Sequence, residues 1–321
     1  MGYGNYSYSA HAALVAGRAN QSRSEVFKQV QCHALMNPKG LKVRECRDSA
    51  DHPETLGIMF ALDVTGSMGN IPHLLAKEEL PNLMKLLTDC HVAHPQVMFM
   101  AVGDATSDQA SLQVGQFEAT AELMDQWLTW SYLEGGGGGS GHESYELAFY
   151  IAAQHTDTDN WAKRKKKGYF FMTGDEFPYP TVSRHQVEAL IGEKLDEDIP
   201  IEEVIAAAAE MYHLFFLIPD EHRAKKVGDR WRKLLGDHAI CMESPKDTCS
   251  VAAAIVGLTE KRIADLDELA KVLNTNGIDR AHIGSTIRAV QHYAALLNPQ
   301  AAATFSPHPA AQESWWKRLF G

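Results

Sequence analysis

The chain has 321 residues, 45% of them hydrophobic, enough to bury a sizeable core in one large domain or two smaller ones. Its formal net charge of −11, with a pI near 5.7, argues against wholesale binding to nucleic acid or to an anionic membrane. No stretch approaches the ~18 uninterrupted apolar residues of a membrane span, and the opening "MGYGNYSYSAHAALVAG" lacks the basic-then-apolar order of a secretory signal.

Residues 1–54 are mixed, with a helix-like "EVFKQVQCHALM" and a polar turn "RDSADHPET", and are expected to pack as an N-terminal extension. From residue 55 apolar strands alternate with amphipathic helices, which predicts a parallel, helix-covered α/β sheet over 55–262. "TLGIMFALDV" (55–64) is apolar almost throughout, as a strand buried on both faces requires. "IPHLLAKEELPNLMKLLTDC" has helical spacing, with Pro81 expected to kink or divide it. The next strand is "QVMFMAVGD" (96–104) and the next helix "FEATAELMDQWLTW" (117–130). A glycine run and the helix "SYELAFYIAAQ" precede the strand "GYFFMTGDEFP" (168–178).

The basic run "KRKKK" at 163–167 reads as a solvated turn ahead of that buried strand, with a phosphate-binding patch as the other reading. Later strands are "YHLFFLIP" (212–219) and "AICMES" (239–244), each followed by a helix. Residues 263–298 form a helical addition, and the Ala-, Pro- and Ser-rich tail 299–321 is expected to be flexible as far as its apolar-basic end "SWWKRLF". That end either folds back or serves as a docking peptide. Cys32, Cys46, Cys90, Cys241 and Cys249 are odd in number and form no C-x-x-C pair, which favours reduced thiols in a cytoplasmic protein.

Chemistry concentrates where strands end. In open parallel sheets ligands sit outside the carboxyl ends of the strands, and here Asp63, Asp104 and Asp175 stand at such ends. Asp63, Thr65 and Ser67 alternate as the chain leaves its strand and enters a glycine-containing turn, so their oxygens can face one point. Carboxylate and hydroxyl oxygens are hard ligands suited to Mg2+, Mn2+ or Ca2+. Blander roles remain open: Asp63 as a helix cap, Asp104 as a turn residue, Glu176 solvated, Glu146 on the exposed side of its helix, His142 as a loop residue.

D-V-T-G-S-M at 63–68 matches the D-x-[ST]-x-S signature of von Willebrand factor A (vWA) domains, whose metal-ion-dependent adhesion site (MIDAS) begins with this loop. "MFMAVGDATSD" resembles that family's second strand, and "YFFMTGDEF" the strand delivering its third-loop Asp. The resemblance covers about two thirds of the chain, 55–262, and implies a doubly wound, Rossmann-like sheet. The second loop, "GGGGGSGHESYELAFYIAA", departs from the usual metal-binding Thr pattern and looks more like the subgroup in which a Glu binds the metal.

Glu143 is the match in that subgroup, and Ser140 is the alternative second-loop ligand. The resemblance implies that Thr65, Ser67 and Glu143 ligate the cation, with Asp63 and Asp175 binding directly or through water. It further implies a non-enzymatic module whose metal accepts an Asp or Glu from a partner protein. Intracellular members are often paired with MoxR-type AAA+ ATPases or sit in multi-protein assemblies.

"DVTGS" is also similar to the phosphorylated loop of P-type ATPases and of the wider haloacid-dehalogenase group, where the first Asp attacks phosphorus. That alternative makes Asp63 the nucleophile of a metal-dependent phosphohydrolase, although Thr65 stands where the soluble phosphatases place a second acid. A nucleotide loop at "GGGGGSG" lacks the Lys-[Ser/Thr] of a P-loop and follows a helix rather than a strand.

Overall fold

A computed structural model describes residues 4–18, 20–75, 80–136, 139–299, 315, 317 and 318, with residues 80–82 described by their backbone only. Strand β1 (Leu56–Asp63) and strand β2 (Pro95–Val102) are buried along their whole length, as their unbroken apolar character requires. With β3 (Leu112–Val114), β4 (Gly168–Thr173), β5 (Tyr212–Ile218) and β6 (Ala239–Cys241) they form a six-stranded sheet in the order β6-β5-β4-β1-β2-β3. All neighbours run parallel except β2 and β3. Asp63 pairs with Val102 and Leu62 with Thr173, so β1, β2 and β4 end level with one another.

Successive side chains of a strand point to opposite faces, and β1 divides accordingly. Ile58, Phe60 and Leu62 enter one buried cluster, with residues of α2 (Leu80–Asp89), α7 (Thr248–Thr259), α8 (Leu266–Thr275) and α9 (Arg280–Leu297). Met59 and Ala61 enter the other, with residues of α4 (Tyr145–Gln154), α5 (Ile201–Met211) and α6 (Glu221–Leu235). The fold is therefore α/β, a mostly parallel sheet with helices on both faces.

Several elements differ from the sequence expectation. The strand at 96–104 is not followed directly by a helix: the chain first turns back as the antiparallel edge strand β3, then enters α3 (Ala121–Thr129). Three residues held by cross-strand pairing leave no local periodicity to read. The expected strand 168–178 stops at Thr173, and Phe177–Pro178 instead pairs in parallel with His142–Glu143. For the helix expected from residue 71, helix is described over Ile71–Leu74 and again over Leu80–Asp89, and the expected kink or division at Pro81 turns on residues 76–79, which lie outside the described residues.

Within the N-terminal 54 residues, α1 (Tyr8–Gly17) packs on α2 and α3, and Arg18 pairs with Asp125 of α3 through both terminal guanidinium nitrogens, Nη1 and Nη2. Arg44–Cys46 adds a short parallel pairing to Thr156–Thr158. At the other end, Trp315 is buried in the cluster shared by α7, α8 and α9, and its indole N–H donates to Asp267 at 2.6 Å. The rest of the tail expected to be flexible lies outside the described residues, apart from 299, 317 and 318. No helix among the described residues is long and apolar enough to cross a membrane.

Candidate metal centre

At the end of β1 the backbone turns sharply, and a short 3-10 turn, Gly66–Met68, begins. Asp63 Oδ1 accepts from the Thr65 backbone N–H at 2.9 Å and from its hydroxyl at 2.6 Å. The Thr65 and Ser67 hydroxyls are 3.1 Å apart, and Ser67 Oγ donates to Asp175 Oδ1 at 2.7 Å. A continuous line of oxygens thus joins the end of β1 to the loop after β4. Gly66 permits it: its N–H donates to the Gly136 carbonyl at 2.5 Å, and a Cβ there would lie 2.8 Å from that oxygen and 2.9 Å from the Gly135 oxygen. The glycine run is therefore packed against the first loop at Gly135 and Gly136.

The pairing of His142–Glu143 with Phe177–Pro178 draws the second loop onto the third. Glu143 is only 4% exposed, and its Oε2 finds no hydrogen-bond partner among the described residues. Burial pushes its carboxyl up to about 9, with the negative charge of Asp63 adding to the effect. Asp63, fully buried, is pushed up to about 7 by the same loss of water, against the hydrogen bonds from Thr65 and Tyr145 that favour its charge. Ser140, in contrast, is exposed, and its hydroxyl engages the backbone of His142 at 3.1 Å. None of its hydrogen bonds among the described residues reaches Asp63, Thr65 or Ser67.

Two residues that the sequence reading did not single out complete the arrangement. The buried Tyr145 hydroxyl donates to Asp63 Oδ2 and accepts from the backbone N–H groups of Asp175 at 3.3 Å and Glu176 at 3.4 Å. Its ring is fixed edge-on against Phe216 and Trp231. Arg223, in the first turn of α6, donates from Nε to Asp175 Oδ2 and from Nη2 to the Ser67 carbonyl, both at 2.8 Å. A hint of Tyr145 lay in its place two residues beyond Glu143; Arg223 could be suspected from "PDEHR" following a strand that ends on the same sheet edge.

Three neighbouring acids take clearer roles. Glu146 is not on an exposed face: it is fully buried, burial pushes its carboxyl well above the usual range, and Oε1 has no partner among the described residues. Its helix α4 is buried on every side from Tyr145 to Ala152, so helical spacing offers no outward face. Glu176 is not simply solvated, since it is 9% exposed and ion-paired with Lys226. Asp104 is a turn former, as expected, accepting from the Thr106 N–H at 2.9 Å and the Tyr179 hydroxyl at 3.0 Å.

Among the described residues no three His, Cys, Asp or Glu side chains make a metal-holding group by themselves. The candidate set relies on hydroxyls as well: two from Thr65 and Ser67 beside the carboxylates of Asp63, Glu143 and Asp175. Such all-oxygen donors match a hard divalent cation. Positive charge at this point would relieve the two carboxylates that burial disfavours.

No family model matches the chain, and no curated protein matches it. Its fold is similar to solved structures of the pilus adhesin SpaC from Lactobacillus rhamnosus GG. The open conformation gives a TM-score of 0.42 at 11% identity, over 67% of this chain and 31% of that one. A second structure of that adhesin gives 0.43 at 10% identity, over 67% and 32%. Proximal thread matrix protein 1 from the mussel byssus gives 0.38 at 9% identity, over 67% of this chain and 48% of that one. The chain thus spans less than half the length of each of these neighbours.

Proposed function

We propose that the chain is a vWA-type module with a doubly wound, Rossmann-like sheet, working inside the cell as a metal-dependent protein-binding unit. In this reading Asp63, Thr65, Ser67, Glu143 and Asp175 form a MIDAS for Mg2+, with Mn2+ or Ca2+ as substitutes. The observation that carries it is the unpartnered Oε2 of Glu143, buried beside an unbroken line of hydroxyl and carboxylate oxygens from two other loops. A buried carboxylate oxygen without a partner is costly; the metal-free chain avoids the cost by holding a proton on Glu143, and a divalent cation would take that proton's place. When bound, the cation supplies the missing positive charge and a coordination position for an outside oxygen.

The residues of this chain prepare that position. Thr65 and Ser67 present neutral oxygens, so two of the five donors add no negative charge, and the cations Arg223 and Lys226 stand beside the acids of the third loop. A partner's Asp or Glu loses its hydration on entering an interface, and an open position on a bound divalent cation offsets the loss. A MoxR-type AAA+ ATPase, or a component of a larger assembly, is the kind of partner proposed. The phosphohydrolase alternative is less well supported, because Asp63 is buried and both of its oxygens already accept hydroxyl hydrogen bonds from Thr65 and Tyr145.

Titration of the purified chain with Mn2+, followed by electron paramagnetic resonance, tests the site. Ser67→Ala and Glu143→Gln should each weaken binding by about tenfold or more while circular dichroism stays unchanged, since the first removes an oxygen donor and the second the negative charge of another. Ser140→Ala should bind as the wild type does. Unaltered affinity in both of the first two variants would refute the assignment.

A further inference from the structure

Helix α6 starts at the end of β5, on the sheet edge where the candidate centre lies. Asp220 caps it, accepting the Arg223 backbone N–H at 2.9 Å, and also receives Arg223 Nη1. A cation in the first turn opposes the helix dipole, so helix stability does not explain Arg223. Its contacts do. Nε reaches Asp175 and Nη2 reaches the Ser67 carbonyl, while the Ser67 hydroxyl holds the other oxygen of Asp175. Arg223, Asp175 and Ser67 form a closed ring that includes two of the five proposed ligands. Arginine cannot shed its charge, so the positive end stays in place at any physiological pH.

We propose that Arg223 is a built-in counter-cation of this centre, exchanging Asp175 for a divalent ion. The inference rests on the metal reading above. In the metal-free chain Arg223 neutralises Asp175 and pins the first loop to the third. A divalent ion at the same oxygens meets like charge a few ångströms away and competes for Asp175 Oδ2. Entry of the ion therefore requires the guanidinium to release that oxygen and swing toward solvent, a motion its 25% exposed side chain allows. Ion uptake and release of the arginine contact become one event, which lowers the apparent affinity for metal and keeps the metal-free site ordered.

The test compares wild type with Arg223→Gln, using full-length protein, Mn2+ as the probe and two readouts: the Mn2+ dissociation constant and the melting temperature in EDTA. The expected result is opposite movement. Arg223→Gln should melt lower in EDTA yet bind Mn2+ about tenfold or more tightly, the size of a typical coupling between two sites. Arg223→Lys, which keeps the charge on a stem that cannot bridge three acceptors, should fall between the two and serves if the glutamine variant does not fold. Binding by Arg223→Gln with none by wild type would also support the exchange. Unchanged or weaker Mn2+ binding by the variant, with normal binding by wild type, would overturn it and leave the metal reading standing. Failure of both proteins to take up Mn2+ would overturn the metal reading, and the exchange with it.

Discussion

Asp63 and Glu143 are both buried from water, and the charge of Asp63 acts on Glu143, which gives the metal-free protein a pH signature. Between pH 4.5 and about 9 the folded chain keeps a proton on Glu143 that the unfolded chain has released. Asp63 does the same between 3.8 and about 7. The native state therefore binds more protons across this window, so its stability is fully present below the window and falls as pH rises through it. In EDTA the melting temperature should drop by roughly 5 °C or more between pH 5 and pH 8.5. Saturating Mg2+ should remove most of that drop, because binding expels the protons, and Mg2+ affinity should rise with pH for the same reason. Differential scanning calorimetry of wild type and Glu143→Gln, with and without EDTA, would decide it; a flat wild-type curve in EDTA would refute the coupling. At this scale the sequence displays the ligands that sit close together or at a strand end. Asp63, Thr65 and Ser67 fall within five positions, and Asp175 closes an apolar run. Tyr145 and Arg223 reach the same point from 82 and 48 residues away, a distance that only the folded sheet closes.

Elements deliver these residues by registering three loops against one another. β1 and β4 end level, and the His142–Glu143 pairing with Phe177–Pro178 fixes the second loop to the third. Gly66 fixes the first loop to the glycine run through its close approach to two backbone carbonyls. Gly66→Ala places a methyl group where those oxygens stand, and neither can rotate away as a side chain would. The substitution should destabilise by about 1–3 kcal/mol, as overpacking does. It should also weaken Mn2+ binding, although Gly66 offers no ligand. Urea unfolding and Mn2+ titration of one preparation check both halves; normal metal affinity with the stability loss would show that the glycine contact does not set the ligand geometry. The long apolar strands were legible because burial on both faces leaves an unbroken apolar run, as in "GIMFAL" and "YHLFFLI". β3 was not, since three residues become a strand only when β2 is beside them. The orientation of Glu146 was hidden because α4 is enclosed on all sides, and periodicity separates faces only when one of them is wet.

Over the whole molecule, the proposed function leaves two surfaces to be told apart as the docking place for a partner. One is the rim of the candidate centre, with its buried acids and the cations Arg223 and Lys226. The other is the C-terminal end, where Trp315 is buried against the α7–α9 cluster and Arg318 pairs with Asp267 at 2.8 Å. The contacts of Trp315 are with α8 and its cluster, whereas the centre is built from β1, β4, α4, α6 and the second loop. Changes at the two places should therefore act independently. Trp315→Ala should cost about 3 kcal/mol of stability, as loss of a buried indole does, and leave Mn2+ affinity unchanged. Ser67→Ala should do the reverse. Capture of partners from the native cell by wild type, by each variant and by wild type in EDTA then separates the surfaces. A partner lost with EDTA and with Ser67→Ala but kept by Trp315→Ala docks through the metal centre. A partner kept in EDTA and lost only with Trp315→Ala docks through the C-terminal end, and the centre is then a structural cation site instead of a recognition surface.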